Sequence, residues 1–285
     1  DLILAVHRGA AEKAATDASG LRQQPNLRTL LKVRDVIRGC NTNSNIALSD
    51  ALPMALDLVY TSNLQSTKEQ EQQQKYIEAM CVNAGLSAAT YPSITANTDT
   101  STTHQFVDTP ASLEQLQKIS VAAQSKRMVM VCGDDCSGKT SLVVELARRT
   151  GRNLVVLPMT AEMETSVLIG QWVMKTSDSQ AKAEFACSAL VQAMREGGWV
   201  LLDNLHFAPS EVVERLNSLA EEEPTLSIYE TLPAEMWSKN SEDEAHRIHP
   251  EFQLFATTRV KTSEPMPLAQ SFVNRTICIW LPPID

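Results

Sequence analysis

Apolar positions in the first third of the chain recur every three to four residues. Leu27, Leu30, Leu31, Val33, Val36 and Ile37 form one stripe, and Leu52, Leu56 and Val59 form another. That spacing puts side chains on one face of a helix. Pro25 and Asn26 precede the first stripe as a helix start, and Gly39 with Asn41–Asn45 is expected to end it. The polar run Lys68–Lys75 predicts an exposed helix or its flanking loop. No strand pattern occurs in this half, so residues 1–87 are expected to form a small all-α domain. Residues 88–104, rich in Thr, Ser, Asn and Pro without an apolar period, read as a linker.

Beyond it, short apolar runs alternate with helical patterns. Strands are expected at Met128–Cys132, Leu154–Leu157, Trp199–Leu202, Gln253–Ala256 and Ile277–Leu281. Helices are expected from Lys139, around Phe185–Arg195 and from Pro209. Strands separated by helices imply a mainly parallel sheet covered on both faces. Residues 105–285 therefore predict an α/β nucleotide-binding core.

Between the first strand and the first helix stands Gly133-Asp134-Asp135-Cys136-Ser137-Gly138-Lys139-Thr140, a phosphate loop of the form G-x-x-x-x-G-K-[ST]. Its glycines let backbone N–H groups turn inward on a polyphosphate, and the helix that follows adds a favourable dipole. Lys139 is expected on the β- and γ-phosphates, Thr140 on Mg²⁺, and Gly133 to Ser141 as the stretch binding ATP. A chance match to a glycine-rich turn is the bland alternative, and the strand before and helix after argue against it. Trp199-Val200-Leu201-Leu202-Asp203 is an apolar strand ending in an acid, the place where a phosphate-loop protein holds its metal. Taken alone, Asp203 reads better as the end of a buried strand that caps the next helix; paired with Lys139 upstream, the metal reading is favoured.

Composition changes this picture little. The formal net charge of −9 argues against a dedicated nucleic-acid surface, which needs clustered Lys and Arg. The acidic runs Glu221–Glu223 and Glu242–Glu244 read as solvated loops or helix ends. Six scattered cysteines without a C-x-x-C pair make a zinc site improbable and fit a reducing compartment. No apolar run is long enough to span a bilayer. The chain opens on Asp1 rather than Met and is expected to be a piece of a longer protein.

Five ordered segments resemble the midasin branch of the AAA+ ATPases. They are Gly133–Gly151, Ala189–Asp203, Leu205–Asn217, His249–Thr257 and Ser271–Arg275, and the likeness covers about Phe106 to Asp285. Pro25–Leu31 resembles an element of the helical lid that follows each core in that family. The resemblance implies a fold of the α/β class, a phosphate-loop AAA+ core with a parallel sheet flanked by helices. A small all-α lid belonging to the preceding module would come before it. It further implies Arg28 as a lid arginine and Arg275 as an arginine finger, both offered to the upstream nucleotide. Implied partners are neighbouring AAA+ modules of the same chain and the large ribosomal subunit precursor with its assembly factors, in the nucleus.

Three positions depart from the family. Asn204 stands where the family carries the Glu that activates water, Arg259 where a sensor Asn is usual, and Val273 in place of an arginine. Pro158–Met163 also replaces a polar family stretch. An amide cannot accept a proton from water, so the general-base contribution of about 10²–10⁴-fold is absent. Two functions follow. One is a working motor module, with Asp203, Asn204 and Arg275 at the chemistry; the other is an ATP-binding ring element with weak or no hydrolysis. The departures favour the second. A dynein-like or bacterial regulatory AAA+ protein and a small-molecule phosphate-loop kinase are the remaining alternatives.

Overall fold

A computed structural model describes residues 1–15, 25–94, 106–177, 180–261 and 264–283. Four helices come first: α1 (Leu2–Ala15), α2 (Leu27–Ser44), α3 (Leu48–Leu56), continued by a wider turn over Asp57–Thr61, and α4 (Thr67–Asn83). Asn26 caps α2 by accepting from the Thr29 N–H, while the Thr29 hydroxyl accepts from the Asn26 N–H. The helix does not stop at Gly39. It runs on to Ser44 and closes at Asn45 in a left-handed conformation. Gly39 is there because α2 crosses the end of α5 (Pro110–Gln124), where a Cβ would lie 2.3 Å from the Gln124 carbonyl oxygen. The interval 88–104 falls mostly on residues 95–105, outside the described residues.

The α/β part follows in the order β1 (Val129–Gly133), α6 (Lys139–Thr150), β2 (Leu154–Pro158), α7 (Thr165–Ile169), β3 (Gly170–Ser177), β4 (Gln180–Cys187) and α8 (Ala189–Glu196). It continues with β5 (Trp199–Asp203), α9 (Ser210–Leu216), β6 (Thr225–Ile228), β7 (Glu235–Ser238), β8 (Gln253–Arg259), α10 (Gln270–Val273) and β9 (Ile277–Trp280). One parallel sheet has the strand order β2-β5-β8-β1-β9. Two antiparallel hairpins, β3–β4 and β6–β7, stand apart from it. The helix expected around Phe185–Arg195 is thus shorter. Phe185 lies in β4, paired across to Trp172, and the helix begins after Ser188, whose hydroxyl caps it.

Strand residues alternate between two cores, as a period of two requires. Met130, Cys132, Val200, Leu202, Leu254, Ala256, Cys278 and Trp280 face one side, with α8, α9 and the hairpins. Val129, Val131, Trp199, Leu201, Phe255, Ile277 and Ile279 face the other. There they join Leu116 and Ile119 of α5, Leu142 and Leu146 of α6, and Val33, Val36, Leu56 and Ile77 of the first helices. The N-terminal helices therefore share one continuous apolar core with a face of the sheet. Burying each such side chain contributes about 1.5–3 kcal/mol, so this seam is a strong joint.

Candidate functional site

In a parallel sheet, ligands gather beyond the carboxyl ends of the strands, where the winding changes direction. Here β1 sits between β8 and β9, and the chain leaves it for β2 at the far edge. Three adjacent strands end together. β5 ends on Asp203, β8 on Arg259 and β1 on Gly133, with Gly133 in register with Arg259.

The phosphate loop curls at its glycines. Gly138 has φ 80° and non-glycine Cys136 has φ 59°, both left-handed. Within the turn, the Ser137 hydroxyl donates to the Asp134 carbonyl at 2.8 Å, and the Asp135 N–H donates to the Asp134 carboxylate at 2.8 Å. Gly138 is the N-cap of α6 and has no capping side chain, so the opening N–H groups of that helix keep their capacity for an anion.

Lys139 is buried inside the loop. Its Nζ donates to the carbonyls of Gly133 and Asp134 at 3.3 and 2.5 Å and lies 3.3 Å from the Ser137 hydroxyl. Burial lowers its pKa, and the nearby Asp135 and Asp134 oppose that shift. Thr140 and Asp203, far apart in sequence, meet here. The Thr140 hydroxyl donates to Asp203 Oδ1 at 2.7 Å, and the Thr257 hydroxyl donates to the same oxygen at 2.6 Å. A hydroxyl oxygen beside a carboxylate is a hard-oxygen donor set of the kind Mg²⁺ takes. The uncapped N-terminus of α6, the ammonium and this oxygen pair fit a magnesium-bound triphosphate.

Two acids in the loop work against a phosphate. Asp135 is countered by Arg259, whose Nε lies 3.0 Å from Asp135 Oδ2. Arg259, at the position where the family usually has a sensor Asn, has an acid of the loop as its partner. Asn204 follows Asp203 in a left-handed conformation, φ 59°, which Asn tolerates better than most residues. Its N–H donates to the Thr257 hydroxyl at 2.8 Å.

Arg28 and Arg275 are elsewhere. Arg275 precedes β9, at the amino end of the sheet and therefore across it from the loop. Its Nε lies 2.6 Å from Glu221, and Arg28 approaches the same carboxylate oxygen at 3.4 Å. Glu222 alongside takes Arg34 and Arg127. Arg127 also forms a buried pair with Asp35 of α2. The Glu221–Glu223 run is a partly exposed bend, as expected, and Glu221 and Glu222 are also the acid half of an arginine seam joining the helices to the core. The exposed Glu242–Glu244 run keeps to the expectation.

Residues 128–276, more than half of the chain, match the AAA domain (dynein-related subfamily). The chain belongs to that family. It is similar to a midasin of Dictyostelium discoideum, 37% identical over 153 residues that cover 53% of this chain and 2% of that protein. A midasin of Giardia intestinalis is 30% identical over 179 residues, 61% of this chain and 3% of that protein. The protein NorQ of Paracoccus denitrificans is 29% identical over 128 residues, 44% of this chain and 46% of NorQ. This AAA domain thus spans only a few hundredths of the length of the midasins it matches, and it is an ATPase-family module related to them. No helix among the described residues is long and apolar enough to cross a membrane.

Sequence reasoning left out two residues of this AAA site. Thr257 is a buried polar residue directly after the apolar Leu254–Ala256 run of β8, a signal that could have drawn attention to it. His206 lies three residues after Asp203, and its Nδ1 accepts the Arg259 N–H at 3.2 Å.

Proposed function

We propose that this chain binds ATP with Mg²⁺ at the carboxyl edge of its sheet and hydrolyses it slowly or not at all. The observation that carries the reading is the convergence of a buried Lys139, in a left-handed glycine loop, with the Thr140–Asp203 oxygen pair 2.7 Å across. Lys139 would hold the β- and γ-phosphates, the loop amides of Gly133 to Ser141 their oxygens, and Thr140 with Asp203 the metal. When bound, Mg²⁺ neutralises charge on the phosphates. The slow-turnover half of the reading rests on Asn204, which cannot take a proton from water. Placing an acid there tests it. Asn204→Glu should raise single-turnover hydrolysis, measured with the neighbouring modules present, by about 10²-fold or more. Robust hydrolysis by the parent chain, lost on Lys139→Ala, would overturn it.

The helical segment 1–87 is read as the lid of a preceding module, with 88–104 as linker and 105–285 as the core. Arg28 and Arg275 support that arrangement because they meet at one carboxylate, Glu221, on the edge away from this chain's own loop. They would serve a nucleotide held by the upstream neighbour, where a guanidinium stabilises charge on the transferring phosphoryl group. By its likeness to midasins, the whole protein would be a nuclear remodelling ATPase acting on large ribosomal subunit precursors. Loss of the upstream module's turnover on Arg275→Ala, with this module's ATP affinity intact, is the expected result.

A further inference from the structure

We infer that Glu221 is a built-in stand-in for a phosphate, a carboxylate that occupies Arg28 and Arg275 until the terminal phosphate of a nucleotide on the upstream module displaces it. The inference rests on the reading of those two arginines as groups offered to that nucleotide, and it adds the residue that governs when they are free. It starts from one oxygen atom. Glu221 Oε1 accepts from Arg275 Nε at 2.6 Å and lies 3.4 Å from Arg28 Nη2. Two guanidiniums from opposite ends of the chain thus converge on a single acceptor. Guanidinium donors suit a phosphate oxygen as well as a carboxylate oxygen.

The charges of the seam favour the exchange. Asp35 and Glu222 share Arg34 and Arg127, which leaves Glu221 as the acid for both Arg28 and Arg275 among the described residues. A phosphate that carries more than one negative charge balances two guanidiniums better than a single carboxylate does. The anchoring points the same way. Arg28 sits in the first turn of α2, behind the Asn26 cap. Arg275 follows α10, and its Nη1 donates to the Ser271 carbonyl. Glu221 lies in a bend between α9 and β6, outside any helix or strand. The cations are therefore the fixed members and the acid the movable one. All three side chains reach water, at 42% exposure for Arg28, 21% for Arg275 and 38% for Glu221, so an incoming anion meets them without opening the core. Ion pairs this exposed are weak and exchange partners readily.

The test is calorimetric titration of the longer protein that carries the upstream module, with Lys139→Ala silencing this chain's own loop. The ligands are the Mg²⁺ complex of an imido-bridged, non-hydrolysable ATP analogue and, separately, MgADP. Glu221→Gln should tighten binding of the analogue about threefold and leave MgADP unchanged, because the diphosphate lacks the group that takes the carboxylate's place. Glu221→Ala should do the same, and adding Arg275→Ala to either variant should cancel the gain. A carboxylate that merely braced the two arginines would weaken binding when removed. Unchanged or weaker analogue binding, an equal gain for MgADP, or a gain that survives Arg275→Ala would each overturn the role of Glu221 while leaving the arginine reading intact. If Arg275→Ala by itself leaves both analogue binding and the upstream module's turnover at the parent level, the arginine reading fails, and the role of Glu221 with it.

Discussion

The two ends of the parallel sheet answer the same problem, exposed polar groups at strand termini, in opposite ways. At the amino end, arginines from α2, from the segment before β1 and from the segment before β9 are matched to Asp35, Glu221 and Glu222. Protein groups satisfy one another there, and α2 is fastened to the core. At the carboxyl end, the α6 N-terminus is uncapped and a buried ammonium leans on carbonyls of its own loop. One end is finished by the chain itself. The other keeps capacity for something that is not protein.

Changes at the finished end should therefore cost stability, and changes at the open end should cost binding. The largest effect is expected from Asp35→Ala. It leaves the buried Arg127 guanidinium without its closest partner, and breaking a buried pair costs about 3–5 kcal/mol. Denaturant unfolding would show this, whereas Asp35→Leu with Arg127→Met together should come out near neutral. A single-variant loss below about 1 kcal/mol would mean that the seam holds nothing.

Lys32 lies in the same region, buried near Arg127 and Arg28, with its pKa lowered to about 8, chiefly by burial. An unfolded lysine keeps its proton to about pH 10.4. Above pH 8 the unfolded chain therefore binds more protons, and stability rises with pH until both forms are neutral. Lys32→Met should raise stability at pH 7 by up to about 3 kcal/mol, a gain that fades as the pH approaches 10. Thermal melts across that range would check it, and a gain independent of pH would contradict the assignment.

At the open end, Thr140→Val should weaken ATP binding about tenfold in Mg²⁺ and change it little in EDTA, since only the metal's oxygen ligand is lost. Equal weakening in both buffers would separate Thr140 from the metal. The smallest effect is expected for Glu221→Gln. Its pairs with Arg28 and Arg275 are half-exposed, so the stability loss should stay below about 1 kcal/mol by denaturant unfolding. A loss like that of Asp35→Ala would make the seam one cooperative network.

The sequence carried the open end better than the finished one. Five apolar runs became the five strands of the sheet, and the loop motif stood where strand meets helix, because backbone geometry there admits few residue types. The partnership of Thr140 with Asp203 followed from motif logic alone. What stayed hidden depended on contacts between distant segments. Gly39 looked like a helix stop, but it is a crossing point with α5, which no local pattern reveals. The ion pairs of Glu221 and Glu222 stayed hidden because their four arginines come from three separate segments of the chain. The hairpin β3–β4 escaped because its alternation runs through polar and exposed residues, with Trp172 and Met174 outward. α5 was missed although Thr109, Pro110 and Ser112 formed a readable start. His206 became visible only once the Arg259 N–H was seen to aim at it.

The central claim is that the carboxyl end of the sheet holds a magnesium-bound triphosphate through Lys139. Calorimetric titration of MgATP into the parent chain and into Lys139→Ala, each verified as folded by its melting transition, tests it most directly. The account predicts saturable, magnesium-dependent binding by the parent and at least a 30-fold loss (about 2 kcal/mol) in the variant, with no fall in melting temperature. A folded parent silent to millimolar MgATP, or a variant that binds as well as the parent, would contradict it.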